Sequence, residues 1–215
     1  MRAKFNIQLL PILICIAIFF SNCSTNKHLA NEQYLLSKNI IVQNNRSIKT
    51  KEPYALIKQK PNKKILGLIP VYLNIYNLAP KIDEDHYFKK IGESPTIFNH
   101  RLAKKSATQI ELYYKNKGYL DASVSYETKK KKHKAIVTYT SNTGLPYVIN
   151  EIKINSNIDS NLTKSIQNIS TEIKKGDIYN FNHLEEQRST IASKLQNQGY
   201  YKFNKEFIYF LADTN

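Results

Sequence analysis

The chain has 215 residues and a formal net charge of +15, and its 41% hydrophobic content, with 15 tyrosines, is that of a basic folded protein. Only two cysteines occur, and Cys15 lies inside an N-terminal apolar run, so a disulfide-stapled fold is excluded. We find no zinc-binding spacing, no phosphate-binding glycine loop and no serine-nucleophile motif. We therefore expect no enzyme activity, no cofactor, no metal and no small-molecule substrate.

Residues 1–22 have the layout of a secretory signal peptide. Arg2 and Lys4 precede an apolar run from Leu9 to Phe20. This run is shorter than the roughly 20 residues that span a bilayer, so a permanent transmembrane helix is the weaker interpretation.

Cys23 follows the signal directly and resembles the acylated cysteine of a bacterial lipobox. The resemblance implies cleavage between Asn22 and Cys23 and a covalent palmitate-type lipid on Cys23, although Phe20 and Asn22 depart from the usual lipobox residues. No acidic residue lies beside the cysteine, at 24–27, so the predicted location is the outer membrane, lipid-anchored on its periplasmic face. The alternative is an ordinary secretory signal with a stray cysteine.

The positive charge is compatible with an anionic membrane surface or with nucleic acid. A secreted protein rarely meets nucleic acid, so we expect no nucleic-acid partner. Genomic bias toward Lys and Asn is an equally simple explanation of the charge.

After a tether at 23–34, a first domain is predicted at 35–142. Residues 39–44 are rich in Ile and Val and predict a strand, and 52–61, bounded by prolines, predicts a short helix. An irregular insert with several prolines follows at 61–98, and its apolar, aromatic part is 65–78.

Apolar residues at spacings of three and four then predict a helix from Asn99 to Lys117, with Asn99 as N-cap and Gly118 just beyond its end. An alternating segment near 119–126 predicts a strand. The lysine-rich residues 129–134 predict a turn, and a returning strand follows.

A second domain is predicted at 145–215 on the same plan. Gly144 precedes a strand at 147–154, and two helices follow, the second at 180–198 with Phe181, Leu184, Ile191 and Leu195 on its inner face. Gly199 ends that helix before a strand at 201–210. The partner of this last strand is missing, so we expect an incomplete domain and a fragment of a longer protein.

The repeated helix, Gly-Tyr and strand resemble the POTRA (polypeptide-transport-associated) domain. The residues of this structural motif are Gly118, Tyr119, Val124, Gly144, Tyr147, Ile152, Gly199 and Tyr200. With the lipobox and the aromatic insert, the chain resembles a narrower group, the translocation-and-assembly-module (TamL-like) lipoproteins of the BamA/TamA (Omp85) family of Bacteroidetes.

The resemblance implies an α+β fold of tandem β-α-α-β-β domains, each a three-stranded sheet covered by two helices. It also implies a periplasmic position ahead of an outer-membrane barrel, which this sequence lacks. The implied partners are the outer membrane, unfolded outer-membrane protein clients and a TamB-like periplasm-spanning protein.

The predicted function is binding of client or partner polypeptides by β-augmentation, in which an extended chain adds to a sheet edge. The strand at 39–44 and the strand near 119–126 are both candidate edges. The apolar part of the insert either covers its own domain, which we favour, or docks a partner. The alternative function is a stand-alone outer-membrane lipoprotein that serves one fixed partner as an adaptor.

Overall fold

The structure is a computed structural model. It describes residues 29–45, 47–81, 83–153, 160–169 and 172–211, so the signal-like segment, Asn22 and Cys23 lie outside the described residues. Within these ranges, no helix has the length and apolarity needed to cross a membrane.

The chain divides into two compact units. Unit 1 comprises the residues up to Ile41, Ile57–Ser106 and Tyr126–Tyr139. Unit 2 comprises Val42–Leu56, Ala107–Ser125 and the residues from Thr140 onward.

The α+β class, with a three-stranded sheet and helices, is confirmed. The predicted order strand, helix, helix, strand, strand holds in the first domain, except that the insert adds two helices between the predicted ones. The elements are β1 (Leu35–Gln43), α1 (Lys51–Ala55), α2 (Val71–Leu78), α3 (Tyr87–Ile91), α4 (His100–Asn116), β2 (Ser123–Lys131), β3 (Lys134–Asn142), α5 (Ser160–Asn168), α6 (Phe181–Asn197) and a 3₁₀ helix (Lys205–Phe207).

The three strands form one sheet in the order β1-β3-β2. Leu35 N–H donates to His133 O (2.8 Å) and Asn44 N–H donates to Ser141 O (3.3 Å), so β1 runs parallel to β3. Strands β2 and β3 form a hairpin whose turn consists of Lys132 and His133 alone. The predicted turn at 129–134 was therefore too long, because strand pairing continues through Lys131 and resumes at Lys134.

The hairpin turn has positive φ at both central residues, 46° at Lys132 and 59° at His133. These are the dihedral signs of the tight turns that match the twist of paired strands. Non-glycine residues seldom adopt them, so the lysine-rich sequence gave no local signal for so short a turn.

Helix α4 forms where it was predicted. The Asn99 side chain accepts hydrogen bonds from the N–H groups of Arg101 (2.9 Å) and Leu102 (3.3 Å), which confirms Asn99 as the N-terminal cap. The buried residues of α4 recur at spacings of three and four along one face: Ala103, Ser106, Ala107, Ile110 and Tyr114. In unit 2 the Tyr114 hydroxyl donates to Gln43 Oε1 (2.9 Å), which ties this helix to β1.

Amide side chains hold together the two ends of the insert. Asn39 Nδ2 donates to Gln59 O (2.8 Å), and Gln59 Nε2 donates to Ile97 O (2.6 Å). Asn62 Nδ2 donates to Ser94 O (2.7 Å). These bonds fix the backbone from Gln59 onward in a non-helical path, so α1 ends at Ala55 and the helix predicted over 52–61 is shorter than expected.

The insert is more ordered than the predicted irregular segment. It contains α2 and α3, and Leu73 and Ala79 are buried. A tight turn precedes α2, and an isolated antiparallel bridge between Ile65 and Ile69 closes it. The favoured interpretation, that residues 65–78 cover the core of their own domain, holds for Leu73 but not for Leu66 and Leu68, whose side chains are exposed.

In unit 2, helices α5 and α6 share an apolar cluster. Leu162, Ile169, Ile191 and Leu195 are its buried members, and Tyr200, Phe203 and Ile208 pack against it. Phe181, predicted on the inner face of α6, is instead exposed.

Two predicted strands of the second domain do not form ladders in the described residues. Residues 147–153 make one isolated bridge, Val148 to Ile178. The strand predicted at 201–210 is instead a turn and a 3₁₀ helix. Phe203 and Ile208 pack on the helices. Arg188 also holds this segment, because its Nε and Nη2 donate to Lys205 O (3.2 and 3.1 Å). An alternating sequence becomes a strand only when another strand pairs with it.

The two Gly-Tyr pairs end their helices in the same way. Gly118 N–H donates to Lys115 O (3.0 Å) and Tyr119 N–H donates to Tyr114 O (3.0 Å). After α6, Gly199 and Tyr200 repeat both bonds with Gln196 O and Leu195 O (3.1 Å each). This is the Schellman motif, which needs a left-handed residue at the glycine position, and φ is 96° at Gly118 and 102° at Gly199.

Gly118 has close neighbours that Gly199 lacks, so the same substitution at the two glycines can be compared. A Cβ at Gly118 would lie 2.3 Å from Tyr179 O and 2.8 Å from Ile178 Cγ2, whereas a Cβ at Gly199 would meet nothing within 4 Å. We expect Gly199→Ala to lower the free energy of unfolding by about 1 kcal/mol from the left-handed backbone alone. Gly118→Ala should lower it by about 3 kcal/mol, because steric overlap adds to that strain. Urea unfolding measures both, and equal losses would contradict the close contact.

Candidate functional site

The outer edge of β2 carries backbone groups that point away from the sheet. A two-residue turn places Lys131 opposite Lys134 in a hydrogen-bonded pair, so Tyr126, Thr128 and Lys130 direct their N–H and C=O groups away from β3. Among the described segments, none makes a backbone hydrogen bond to this edge between Tyr126 and Lys130. This part of β2 is open to another extended chain.

Glu111 covers the first outward group of the same edge. The N–H of Val124 donates to Glu111 Oε2 (3.3 Å), and the Lys115 ammonium donates to Glu111 Oε1 (2.8 Å) one helical turn further along α4. The hydrogen bond from Lys115 holds the pKa of Glu111 below its ordinary value, the bond from Val124 acts in the same direction, and desolvation opposes both. A side-chain carboxylate therefore caps the N-terminal end of the open edge.

The start of β1, the other edge of the sheet, is already paired. Leu36 N–H donates to Thr96 O (2.8 Å), Phe98 N–H donates to Tyr34 O (2.8 Å), and Leu35 forms an antiparallel bridge with Ile97. Both edges predicted from the sequence are thus edges of the sheet, but the end of the insert occupies part of one. On β2, no backbone group among the described residues pairs in this way between Tyr126 and Lys130.

Side chains of the β2–β3 hairpin contact aromatic rings of neighbouring segments. The Tyr126 ring lies 6.3 Å from that of Tyr139, and Lys130 Nζ lies 4.8 Å above the Tyr34 ring. Phe98 and His100 stack edge to face at 4.7 Å. Sequence analysis missed this cluster, because its members come from three separate segments of unit 1.

The structure brings together only some of the predicted motif residues. Tyr147 N–H donates to Gly118 O (2.8 Å), and the Tyr147 hydroxyl donates to Asp121 Oδ2 (3.1 Å). That hydrogen bond to Asp121 raises the pKa of Tyr147. Tyr179 N–H then donates to Tyr147 O (2.9 Å), so these residues form one backbone junction within unit 2.

The other motif residues lie elsewhere. Gly144 adopts a φ of 65° in the turn after β3, and Tyr119 follows Gly118 in the first Schellman motif. Val124 lies on β2 beside Glu111, and Ile152 is exposed. Gly199 and Tyr200 belong to the end of α6.

No group of three or more His, Cys, Asp or Glu side chains in the described part of the chain is close enough to hold a metal ion. In the acidic stretch at 83–86, His86 Nδ1 accepts a hydrogen bond from Phe88 N–H (3.2 Å) at the start of α3. What the described residues do offer at the edge of β2 is a row of backbone groups that another extended chain can pair with.

The Glu111 cap predicts a pH dependence at Val124. Because the folded-state pKa of Glu111 is lowered, its contribution to stability is present above the unfolded-state pKa and is lost as the pH falls through the folded-state pKa. We expect the Val124 amide proton resonance to titrate together with the Glu111 carboxylate below pH 4.5. Glu111→Gln should abolish this titration, and Glu127→Gln on the same hairpin should leave it intact. A Val124 resonance that stays constant in the parent chain would contradict the cap.

The chain matches the POTRA family model, described as a surface antigen variable number repeat, at residues 37–144 and again at 147–206. Among solved structures, it is similar to the third to fifth POTRA domains of Haemophilus influenzae BamA, with 14% identity and a TM-score of 0.34, over 79% of this chain and 52% of that one. It is also similar to the first two POTRA domains of the periplasmic part of Omp85 from Anabaena, with 11% identity and a TM-score of 0.37, over 80% of this chain and 85% of that one.

The chain thus spans about half of the Haemophilus protein fragment. A comparison of the sequence with curated proteins found no match. The two family matches together cover well over half of the sequence. This chain therefore belongs to the POTRA family and carries two tandem copies of its domain.

Proposed function

We propose that this chain is a periplasmic binding arm of an outer-membrane protein assembly or translocation factor, and that it binds extended client polypeptides by strand addition along β2. The observation that supports the proposal is the free outer edge of β2 from Tyr126 to Lys130. Membership of the POTRA family supports the assembly role that the resemblance to the BamA/TamA (Omp85) family implies.

Strand addition suits clients of many sequences, because the backbone supplies the hydrogen bonds and the side chains only modulate them. Each added hydrogen bond is worth about 1 kcal/mol net in water, so the short edge of β2 binds weakly and releases its client readily. Glu111 limits the register, because a client strand that extends past Tyr126 must displace the carboxylate from the Val124 N–H.

We further propose that acylated Cys23 holds the arm on the periplasmic face of the outer membrane. The sequence supports this through the apolar run ahead of Cys23, and several acyl chains give the stable attachment that a single chain does not. A TamB-like periplasm-spanning partner is proposed on the same family resemblance.

In-cell photocrosslinking tests the client edge. A benzophenone side chain at Glu127 on β2 should capture several outer-membrane proteins, because an added strand lies directly beside it. The same probe at Thr138, on the central strand β3, is the matched control and should capture far less.

Equal capture at both positions would overturn strand addition at β2. Capture of one single protein at Glu127 would favour the alternative function, an adaptor for one fixed partner.

Replacing the proposed lipid site gives a separate test. Cys23→Ala should move the protein from the membrane fraction to the soluble periplasmic fraction, because the acyl chains are lost. Cys15→Ala is the control and should leave the distribution unchanged. A Cys23→Ala protein that stays with the membrane contradicts the anchor.

A further inference from the structure

The insert carries an exposed aliphatic tip, which we define as Ile65, Leu66, Gly67, Leu68 and Ile69. Leu66 is 92% exposed and Leu68 is 78% exposed, and the two isoleucines are nearly half exposed. Four aliphatic side chains in five consecutive residues form a concentrated apolar surface, which a soluble monomer seldom leaves without a partner.

The two ends of the tip are hydrogen-bonded to each other. Ile65 N–H donates to Ile69 O (2.9 Å), Ile69 N–H donates to Ile65 O (3.3 Å), and Leu68 N–H donates to Ile65 O (3.2 Å). Leu66 and Gly67 turn the chain with φ values of 52° and 71°. These bonds satisfy polar groups that would otherwise be costly to move out of water.

Positive charge lies directly beside the tip. Lys58, Lys60, Lys63 and Lys64 precede it and are exposed, and the sequence has no acidic residue between Glu52 and Asp83. The carboxylate of Glu93 reaches this segment, and its Oε2 accepts a hydrogen bond from the backbone N–H of Lys63 (3.0 Å).

We propose that this tip inserts into the interfacial region of a phospholipid bilayer that contains anionic headgroups. Aliphatic side chains that enter the acyl boundary, with lysines left at headgroup level, are the pattern of interfacial membrane anchors. The tip has no aromatic, arginine or hydrogen-bonding side chain, and such residues are the usual anchors of protein–protein interfaces. Its chemistry therefore fits lipid better than a folded partner.

The tip is separate from the strand-adding edge in its residues and in its chemistry, so the proposal does not rest on client binding. Its free end is also unobstructed, because a Cβ at Gly67 would meet nothing within 4 Å. Insertion therefore requires no rearrangement of the buried part of the insert around Leu73.

The test uses the full chain reconstituted in vesicles, with Cys15 and Cys23 replaced by Ser and a polarity-sensitive fluorophore attached at Leu66→Cys. In vesicles with anionic phospholipid, we expect blue-shifted emission and quenching by nitroxide-labelled lipid about threefold or more above that of the control. The matched control places the fluorophore at Leu145→Cys, another leucine that is 83% exposed.

Lys63→Glu combined with Lys64→Glu should remove the difference between anionic and zwitterionic vesicles, because the lysines supply the charge attraction. Equal quenching at positions 66 and 145 would overturn the proposal. An emission shift at position 66 that rises with protein concentration in the absence of lipid would also overturn it, because a second copy would then cover the tip. Loss of client crosslinking at Glu127 would leave this result unchanged, so the two proposals fail separately.

Discussion

A three-stranded sheet has one inner strand and two outer strands, so two rows of backbone hydrogen-bonding groups must find partners outside the sheet. This constraint underlies most of what distinguishes the first domain. On β1, the end of the insert supplies partners through Thr96 and Phe98. On β2, the Val124 N–H has a partner of another kind, the Glu111 carboxylate. Among the described residues, none makes a backbone hydrogen bond to the outer edge from Tyr126 to Lys130.

The free edge of β2 also gives a physical reason for the lysines of the hairpin. Edge strands rich in lysine resist uncontrolled pairing between copies of the same chain, because their like charges repel. The unfolded client that we propose is not repelled in this way where its charge is low or opposite. The free edge of β2 thus combines open backbone groups with protection against self-association, and the ring of Tyr34 holds Lys130 within the hairpin surface.

The sequence predicted the features that are specified locally. Asn99 and Gly118 are capping signals that act within a few residues, and the apolar spacing between them defines one helix face, so α4 was predicted almost to the residue. The repeated Gly-Tyr pair likewise predicted where two helices end, and both ends have the same hydrogen bonds. The order of β1, α1, α4, β2 and β3 follows from the same short-range signals.

The predictions that were wrong, and the contacts that were missed, concern residues whose structure depends on partners far away in the sequence. The strand predicted at 201–210 has the right alternation, but its apolar residues pack on α5 and α6 and Arg188 holds its backbone. Leu66 and Leu73 are the same residue type in one apolar run, yet one is exposed and the other buried. The Glu111 cap could have been suspected from a Glu-Lys pair on the helix before a strand, but its contact with Val124 depends on tertiary structure.

Amide hydrogen exchange followed by NMR tests the role of the free edge most directly. On addition of an unfolded outer-membrane protein segment, the account predicts that exchange slows by about tenfold or more at the amides of Tyr126, Thr128 and Lys130, which point outward, while the Glu127 amide, which faces β3, changes little. Unchanged exchange at all three outward amides, in the presence of a bound segment, would contradict strand addition at β2.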